Sequence, residues 1–426
     1  MDVNGRLRPN DSNDSNDSND SNVLIPLRPV NVLPADVVAT IRRRAIFECC
    51  KWDPQVEDVS TIAEVPIVLE TGQWRALAAM SEALAAELTA AEEELRHRPD
   101  LHGTLGLPRA VVNALRRANP APTNGARLIR FDFHHTADGW RISEANSDVP
   151  GGLNEASGLP RLIAGCVART RGAGDVAAAY AAGVMASLPP KPHIALVHAT
   201  AYSDDRQVMT YLAQRLAERG ARASLASPAH LRWHEGRAQL AAEWATGPVD
   251  AVVRFYPGEW MDNLPRACGW WSYFGGTATP ISNPATALLT QSKRFPLVWD
   301  SLRTQLPTWR TLLPQTRDPR DVPWQHDDGW VLKPALGRVG EDVGIAGVTA
   351  APDWKRIARD VRRHAGHWIA QRRFAPTPLL VADQTCYPGI GVYTVNGRAA
   401  GAYGRVAERP LIDARARDAA VLVAES

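Results

Sequence analysis

No CxxC pair occurs among the five cysteines (Cys49, Cys50, Cys166, Cys268 and Cys386), and an odd count without that spacing supports neither a disulfide framework nor a zinc site. Reduced thiols in a reducing compartment are the expectation. Charge of one sign is also missing: 48 Lys plus Arg stand against 46 Asp plus Glu, a net of +2. No long basic run marks a track for nucleic acid or for an anionic membrane. The longest apolar stretch, near Val176 to Leu188, falls short of the ~20 residues a membrane span needs. The first residues, MDVNGRLRPNDSND, contain no apolar signal-peptide core. These absences point to a cytoplasmic protein with neither a membrane nor a nucleic-acid partner. What remains is ordinary globular composition, 45% hydrophobic and 22% charged over 426 residues. That length suits two or three lobes at roughly 100–200 residues each.

Residues 11–22 are four copies of Asp-Ser-Asn, with nothing to bury and side chains that compete with their own backbone for hydrogen bonds. Residues 1–22 are expected to form a disordered tail. From Gln73, the residues Trp74, Leu77, Leu84, Leu88 and Leu95 recur at three- and four-residue steps or their sums, which predicts an amphipathic helix ending before Pro99. Between 193 and 256 the pattern is strand (HIALVH), helix (DRQVMTYLAQRLAERG), strand (ARASL), a polar excursion, and strand (VDAVVRFY), the signature of a βαβ unit. It lacks GxGxxG after the first strand, so dinucleotide binding is disfavoured. Residues 329–347 read as strand, glycine-rich loop and strand, and 385–407 as strands around a turn at Asn396-Gly397. The fold class is α+β.

Residues 127–146 alternate as RLIRFDFHH and WRISEAN around TADG, which reads as a hairpin. A three-residue loop Ala137-Asp138-Gly139, with Gly139 left-handed, would pair Thr136 with Trp140. Asp132 would then oppose Glu144, and Arg130 would oppose Asn146, all on one face. A two-residue turn would instead place Asp132 and Glu144 on opposite faces. Two carboxylates across a ladder repel each other, and a divalent cation reverses that cost. Asp, Glu and Asn offer hard oxygens, and Mg²⁺ takes one or two carboxylates with waters and substrate phosphates. Arg130 on the same face suits charge developing on a phosphoryl group or tetrahedral intermediate. The bland alternative is a solvated face with surface salt bridges. His134 and His135 read as packed or solvated residues rather than ligands.

Lys333-Pro-Ala-Leu-Gly337-Arg338-Val-Gly340 places a lysine at a strand end before a loop whose glycines allow a close approach to an anion. It does not match GxxxxGK[ST], and the pattern that follows reads as a strand rather than a helix, so a P-loop is disfavoured. An ordinary turn with surface charges is the alternative. Lys293 lies where it could reach a nucleotide phosphate.

Together, Arg130-Phe-Asp132, Glu144-Ala-Asn146-Ser-Asp148-Val-Pro150, Asn283-Pro with Lys293, the Lys333 to Gly340 loop and Trp368-Ile-Ala-Gln371 resemble the glutathionylspermidine synthetase family. The resemblance runs from about residue 40 to near the C-terminus. It implies a circularly permuted ATP-grasp fold with a Rossmann-like pre-ATP-grasp lobe. The implied organisation is an N-terminal part over 23–190 carrying the metal-ligand hairpin, the Rossmann-like lobe over 191–290, and a nucleotide-gripping lobe with return strands over 291–426. It further implies Mg²⁺ on Asp132, Glu144 and Asn146, ATP contacts from Lys293, Lys333, Gly337, Gly340 and Gln371, and catalytic roles for Arg130 and Arg338. The implied reaction joins a small-molecule or peptide carboxylate to an amine through an acyl phosphate. A scaffold of the same fold without turnover, or a two-carboxylate hydrolase using Asp132 and Glu144, are the alternatives. Val149, Pro150, Gly151 and Gly152 depart from the stretch found in glutathione-recognising members. Asp148 and Glu155 are carboxylates suited to drawing a cationic amine, to capping, or to the surface.

Overall fold

The computed structural model describes residues 27–425 except 29–30, 54, 57–58, 119–123, 338–341 and 382–383. The Asp-Ser-Asn tail, Arg338 and Gly340 lie outside the described residues. The chain is α+β. Its central element is a six-stranded antiparallel sheet that draws on both ends of the sequence. The hairpin Leu128–Thr136 and Gly139–Asn146 forms one edge, and Gln384–Val395, Arg398–Ala407 and Arg417–Ala419 continue from it, with Leu379–Val381 pairing at the start of the long strand. Asn396 and Gly397 both take positive φ, 49° and 78°, and join Val395 to Arg398 as the Asn-Gly signal predicts.

Strand alternation separates this sheet into a dry face and a polar face. Ile129, Phe131 and Phe133 are buried against Leu77, Leu84 and Leu88 of the helix Thr71–Arg96. Arg130, Asp132 and His134 point the other way and are half-buried. The helix starts where Gln73 Oε1 accepts the Glu70 N–H at 2.9 Å, capturing a donor that the first turn leaves unpaired.

The βαβ pattern produces a parallel sheet ordered Ile281–Ser282, Ala251–Phe255, His193–His198, Arg222–Ala226, with the helix Ser203–Ala217 crossing between the last two. The polar excursion before its third strand is not a loop. It is a three-stranded meander, Leu231–His234, Arg237–Ala242 and Ala245–Pro248, whose middle strand alternates exposed and buried residues. Short strands with single apolar positions such as Ala238 and Leu240 carry too little hydrophobic content to stand out in the sequence. A second antiparallel sheet orders Thr316–Arg317, Trp368–Arg372, Trp330–Pro334 and Gly344–Ile345 over a small core of Trp324, Leu332, Ile357 and Trp368.

Candidate active site

The hairpin reaches the expected pairing by an unexpected route. Thr136 pairs with Gly139, so the connection is the two-residue turn Ala137-Asp138 rather than a three-residue loop. Carried inward, that register would set Asp132 opposite Ser143 and turn Glu144 to the dry face. A β-bulge between Asp132 and Phe133 absorbs Ser143 as the extra residue, and beyond it Asp132 faces Glu144 and Arg130 faces Asn146. The bulge also presents the Ser143 carbonyl, which accepts from Lys333 Nζ at 3.1 Å.

Arg130 holds Asp132 in a fork, Nε to Oδ1 at 2.6 Å and Nη2 to Oδ2 at 2.9 Å, and donates Nη1 to the Gly151 carbonyl at 2.8 Å. Asn146 Nδ2 donates to Asp132 Oδ2 at 3.0 Å. Across the ladder, Glu144 Oε2 lies 3.0 Å from Lys293 Nζ, which also donates to the Gly337 carbonyl at 3.2 Å. Lys333 Nζ donates to Gln371 Oε1 at 2.8 Å, and Gln371 Nε2 to Thr316 Oγ1 at 3.1 Å. One polar cluster therefore gathers Arg130, Asp132, Glu144, Asn146, Lys293, Lys333, Gly337 and Gln371 from four separate stretches of the chain. Arg338 and Gly340 cannot be placed, lying outside the described residues.

Burial works against charge here and neighbours overrule it selectively. The Glu144 carboxyl is pushed up by burial, but the ammonium groups of Lys293 and Lys333 hold it down at about 2. Lys333 itself is lowered to about 8, first by burial, with Glu144 pulling it back and Lys293 pushing it further down. His134 is lowered to about 4 by burial and by Lys333, against a weaker pull from Glu144. It is a neutral, packed ring 5.2 Å from that of Phe374. His135 packs edge-on against Trp140 at 5.1 Å.

Among the described residues, no group of three or more His, Cys, Asp or Glu is arranged to hold a metal ion by itself. A metal here would rest on two carboxylates and an amide oxygen. That hard, incomplete donor set leaves positions for phosphate and water, which fits Mg²⁺ and not zinc.

Asp148 and Glu155 are already neutralised by the chain itself, contrary to the amine-attracting reading. Asp148, 2% exposed, pairs with Arg254 and accepts the Gly258 N–H at 2.8 Å. Glu155 pairs with Lys51 at 2.9 Å. Asn283 acts as a strand partner in side-chain form: Oδ1 takes the Leu128 N–H at 2.8 Å and Nδ2 donates to the Leu128, Ser147 and Asp148 carbonyls. Gln291 Oε1 accepts the Ser147 and Asp148 N–H groups at 2.7 and 3.0 Å, so the segment leading to Lys293 is tied to the strand carrying Glu144 and Asn146.

Sequence reading missed Tyr393 and Tyr403, whose rings lie 6.0 and 5.5 Å from the Arg130 guanidinium carbon. Tyr393 donates its hydroxyl to the Gly151 carbonyl, and Tyr403 donates to Asp418 Oδ1 at 2.6 Å. The available signal was Gly389 and Gly391 at alternate positions of a strand, which marks a face that must leave room for something.

A family model described as glutathionylspermidine synthase preATP-grasp matches residues 49–423. No curated protein sequence matches the chain at a significant level. Among solved structures, the chain is similar to a glutathione synthetase-like effector from Globodera pallida in its apo form, at 11% identity and a TM-score of 0.65, covering 91% of this chain and 96% of that one. At that identity the likeness is one of fold. Among the described residues, no helix is long and apolar enough to cross a membrane.

Proposed function

The chain belongs to the glutathionylspermidine synthase family, and on that premise we propose that it is an ATP- and Mg²⁺-dependent ligase joining a carboxylate to an amine. The observation that carries this reading is the meeting of Lys293, Lys333 and Gln371 with the face of the hairpin that bears Arg130, Asp132, Glu144 and Asn146. A two-carboxylate hydrolase gives those lysines no task.

In this reading Lys293 and Lys333 bind the ATP phosphates, Gly337 opens the covering loop, and Gln371 faces the nucleotide from the second sheet. Arg338 and Gly340 complete the loop in the proposal. Asp132, Glu144 and Asn146 would hold Mg²⁺, which when bound neutralises phosphate charge. The acid oxygen attacks the γ-phosphorus, giving an acyl phosphate and ADP. The amine then displaces phosphate through a tetrahedral intermediate, losing one proton. Arg130 lies where charge develops in both steps, and catalysis comes from positioning and charge compensation.

The chain order supports a circularly permuted ATP-grasp. The metal-ligand strands, within 23–190, precede the parallel sheet of the Rossmann-like lobe within 191–290. The nucleotide lysines and the return strands follow within 291–426. The reading also takes the protein as cytoplasmic, with a small-molecule or peptide carboxylate and an amine as partners and neither nucleic acid nor membrane.

The test is a screen of acids crossed with amines for ADP release in the presence of Mg²⁺. Mass spectrometry should find a product lighter by one water than the sum of its precursors. ATP binding with no pair that stimulates ADP release would replace the ligase with a nucleotide-binding scaffold.

A further inference from the structure

Behind Arg130 lies an ionic cluster that the ligase chemistry does not use. Lys51 follows the helix Ala35–Glu48, and its side chain is 8% exposed. Its ammonium lies 2.9 Å from Glu155 Oε1, 3.0 Å from Asp418 Oδ2 and 3.6 Å from Asp53 Oδ1. Glu155 Oε2 is buried without a hydrogen-bond partner. Burying such a group is poorly explained by stability alone, because well-packed apolar replacements of buried ion clusters are often neutral or stabilising.

The two nearer carboxylates are attached to the two walls that seat Arg130. Asp418 accepts from Tyr403, whose ring flanks the guanidinium. Glu155 lies in the first turn of the helix Leu153–Ile163, directly after Gly151 and Gly152. Gly151 supplies the carbonyl that takes both Arg130 Nη1 and the Tyr393 hydroxyl. Gly152 has φ +83°, and a Cβ there would meet the Tyr403 ring at 3.0 Å, so this turn and that ring are fitted to each other.

We propose that Lys51 is a positioning residue for Arg130: by tying Asp418 to Glu155 it holds Tyr403 and the Gly151-Gly152 turn together around the guanidinium. The inference rests on the reading of Arg130 as the group that meets the transferring phosphoryl.

The experiment uses the full chain with Mg²⁺ and compares its affinity for ATP with its affinity for ADP plus aluminium fluoride, a mimic of the phosphoryl in transfer. The wild type should bind the mimic more tightly than ADP alone. Lys51→Met should weaken the mimic by about tenfold or more while ATP changes by less than about twofold, the pattern of an interaction felt only in the transition state. Lys51→Arg should recover much of the loss. Tyr403→Phe, which removes one oxygen and keeps the ring, should reproduce the Lys51→Met defect, and the double variant should add little. Tyr403→Phe carries the test alone if Lys51→Met does not fold. Equal weakening of ATP and mimic, or no weakening of the mimic, overturns the proposal. A wild type that does not distinguish ADP from the mimic overturns the ligase reading itself, and this inference with it.

Discussion

Arg130 occupies the space that a side chain at Gly391 would need. Gly391 is the sheet partner of Asp132, and a Cβ built on it would lie 2.6 Å from Arg130 Cδ and 3.0 Å from Cγ and Nε. These atoms are the stem of the side chain, pinned at its far end by Asp132 and Gly151, so Arg130 cannot swing aside without breaking its fork. Gly391→Ala should therefore cost about 1–3 kcal/mol by overpacking. ADP release with an acid and amine pair should fall by more than that loss of folded protein explains. Thermal melting beside the turnover assay separates the two effects, and full turnover in the variant would show that Arg130 has freedom to move.

Asp132 and Glu144 should be unequal under substitution. Asp132→Asn breaks the charged two-point fork with Arg130 and removes a carboxylate that the proposal assigns to the metal. Glu144→Gln loosens Lys293 while leaving Arg130 seated. Both should lower turnover on the order of 10²-fold or more, as loss of a placed charge at a reacting centre does. Glu144→Gln should in addition raise the Mg²⁺ concentration needed for half-maximal rate. Unchanged turnover in either variant would sink the metal assignment.

Much of this site is legible in the sequence because alternation in a strand is strict: Arg130 and Asp132 must share a face, and so must Glu144 and Asn146. Which face of one strand meets which face of the other depends on one residue of register, and there the reading reached the right pairing through the wrong turn. A bulge at Ser143 has no local signature, since serine fits a strand, a bulge or a turn equally. The long-range contacts were legible only through family resemblance, because nothing local in Lys333 or Gln371 tells that they meet. Tyr403 and Lys51 were invisible for the same reason. Lys51 meets Glu155 and Asp418 from far along the chain, and Tyr403 is connected to Glu155 only through Asp418 and Lys51. Asp148 misled because a carboxylate followed by Val-Pro-Gly-Gly carries no local sign of burial, whereas Arg254 from the parallel sheet pairs with it in the interior.

Arg254 makes that burial conditional. Its side chain is fully buried, donating to Asp148 and to the Asn283, Tyr256 and Pro284 carbonyls. Arg254→Met should destabilise the chain by about 3–5 kcal/mol in urea unfolding, since it strands the Asp148 charge in the interior. Pairing it with Asp148→Leu should return a substantial part of that loss. A double variant no more stable than the single would mean that the carbonyl contacts, not the ion pair, hold the junction.

The thiols should divide four to one. Cys49, Cys50, Cys268 and Cys386 are buried, and Cys166 is exposed. Burial pushes the Cys49 thiol up to about 11, so little thiolate exists there near neutrality. A chromogenic disulfide reagent at pH 8 should modify one thiol in the native chain and five in denaturant. Fewer than five in denaturant without reductant would reveal a disulfide.

Lys333 should make stability and nucleotide affinity run in opposite directions with pH. Its ammonium titrates at about 8 in the fold, against 10.5 ordinarily, because burial disfavours the charge more than Glu144 restores it. Between those two values the unfolded chain holds a proton that the folded chain has released, so stability contributed by this residue rises with pH across that window. ATP phosphates need the charged form, so affinity should fall as pH rises through about 8, approaching about tenfold per unit, the limit for one linked proton. Lys333→Arg keeps its charge throughout. It should flatten both trends, at some cost in affinity where the longer head group displaces Gln371. Calorimetric titration of ATP from pH 7 to 9.5, run beside thermal melts of the nucleotide-free protein, checks both. Parallel rather than opposed slopes would show that another group controls binding in this range.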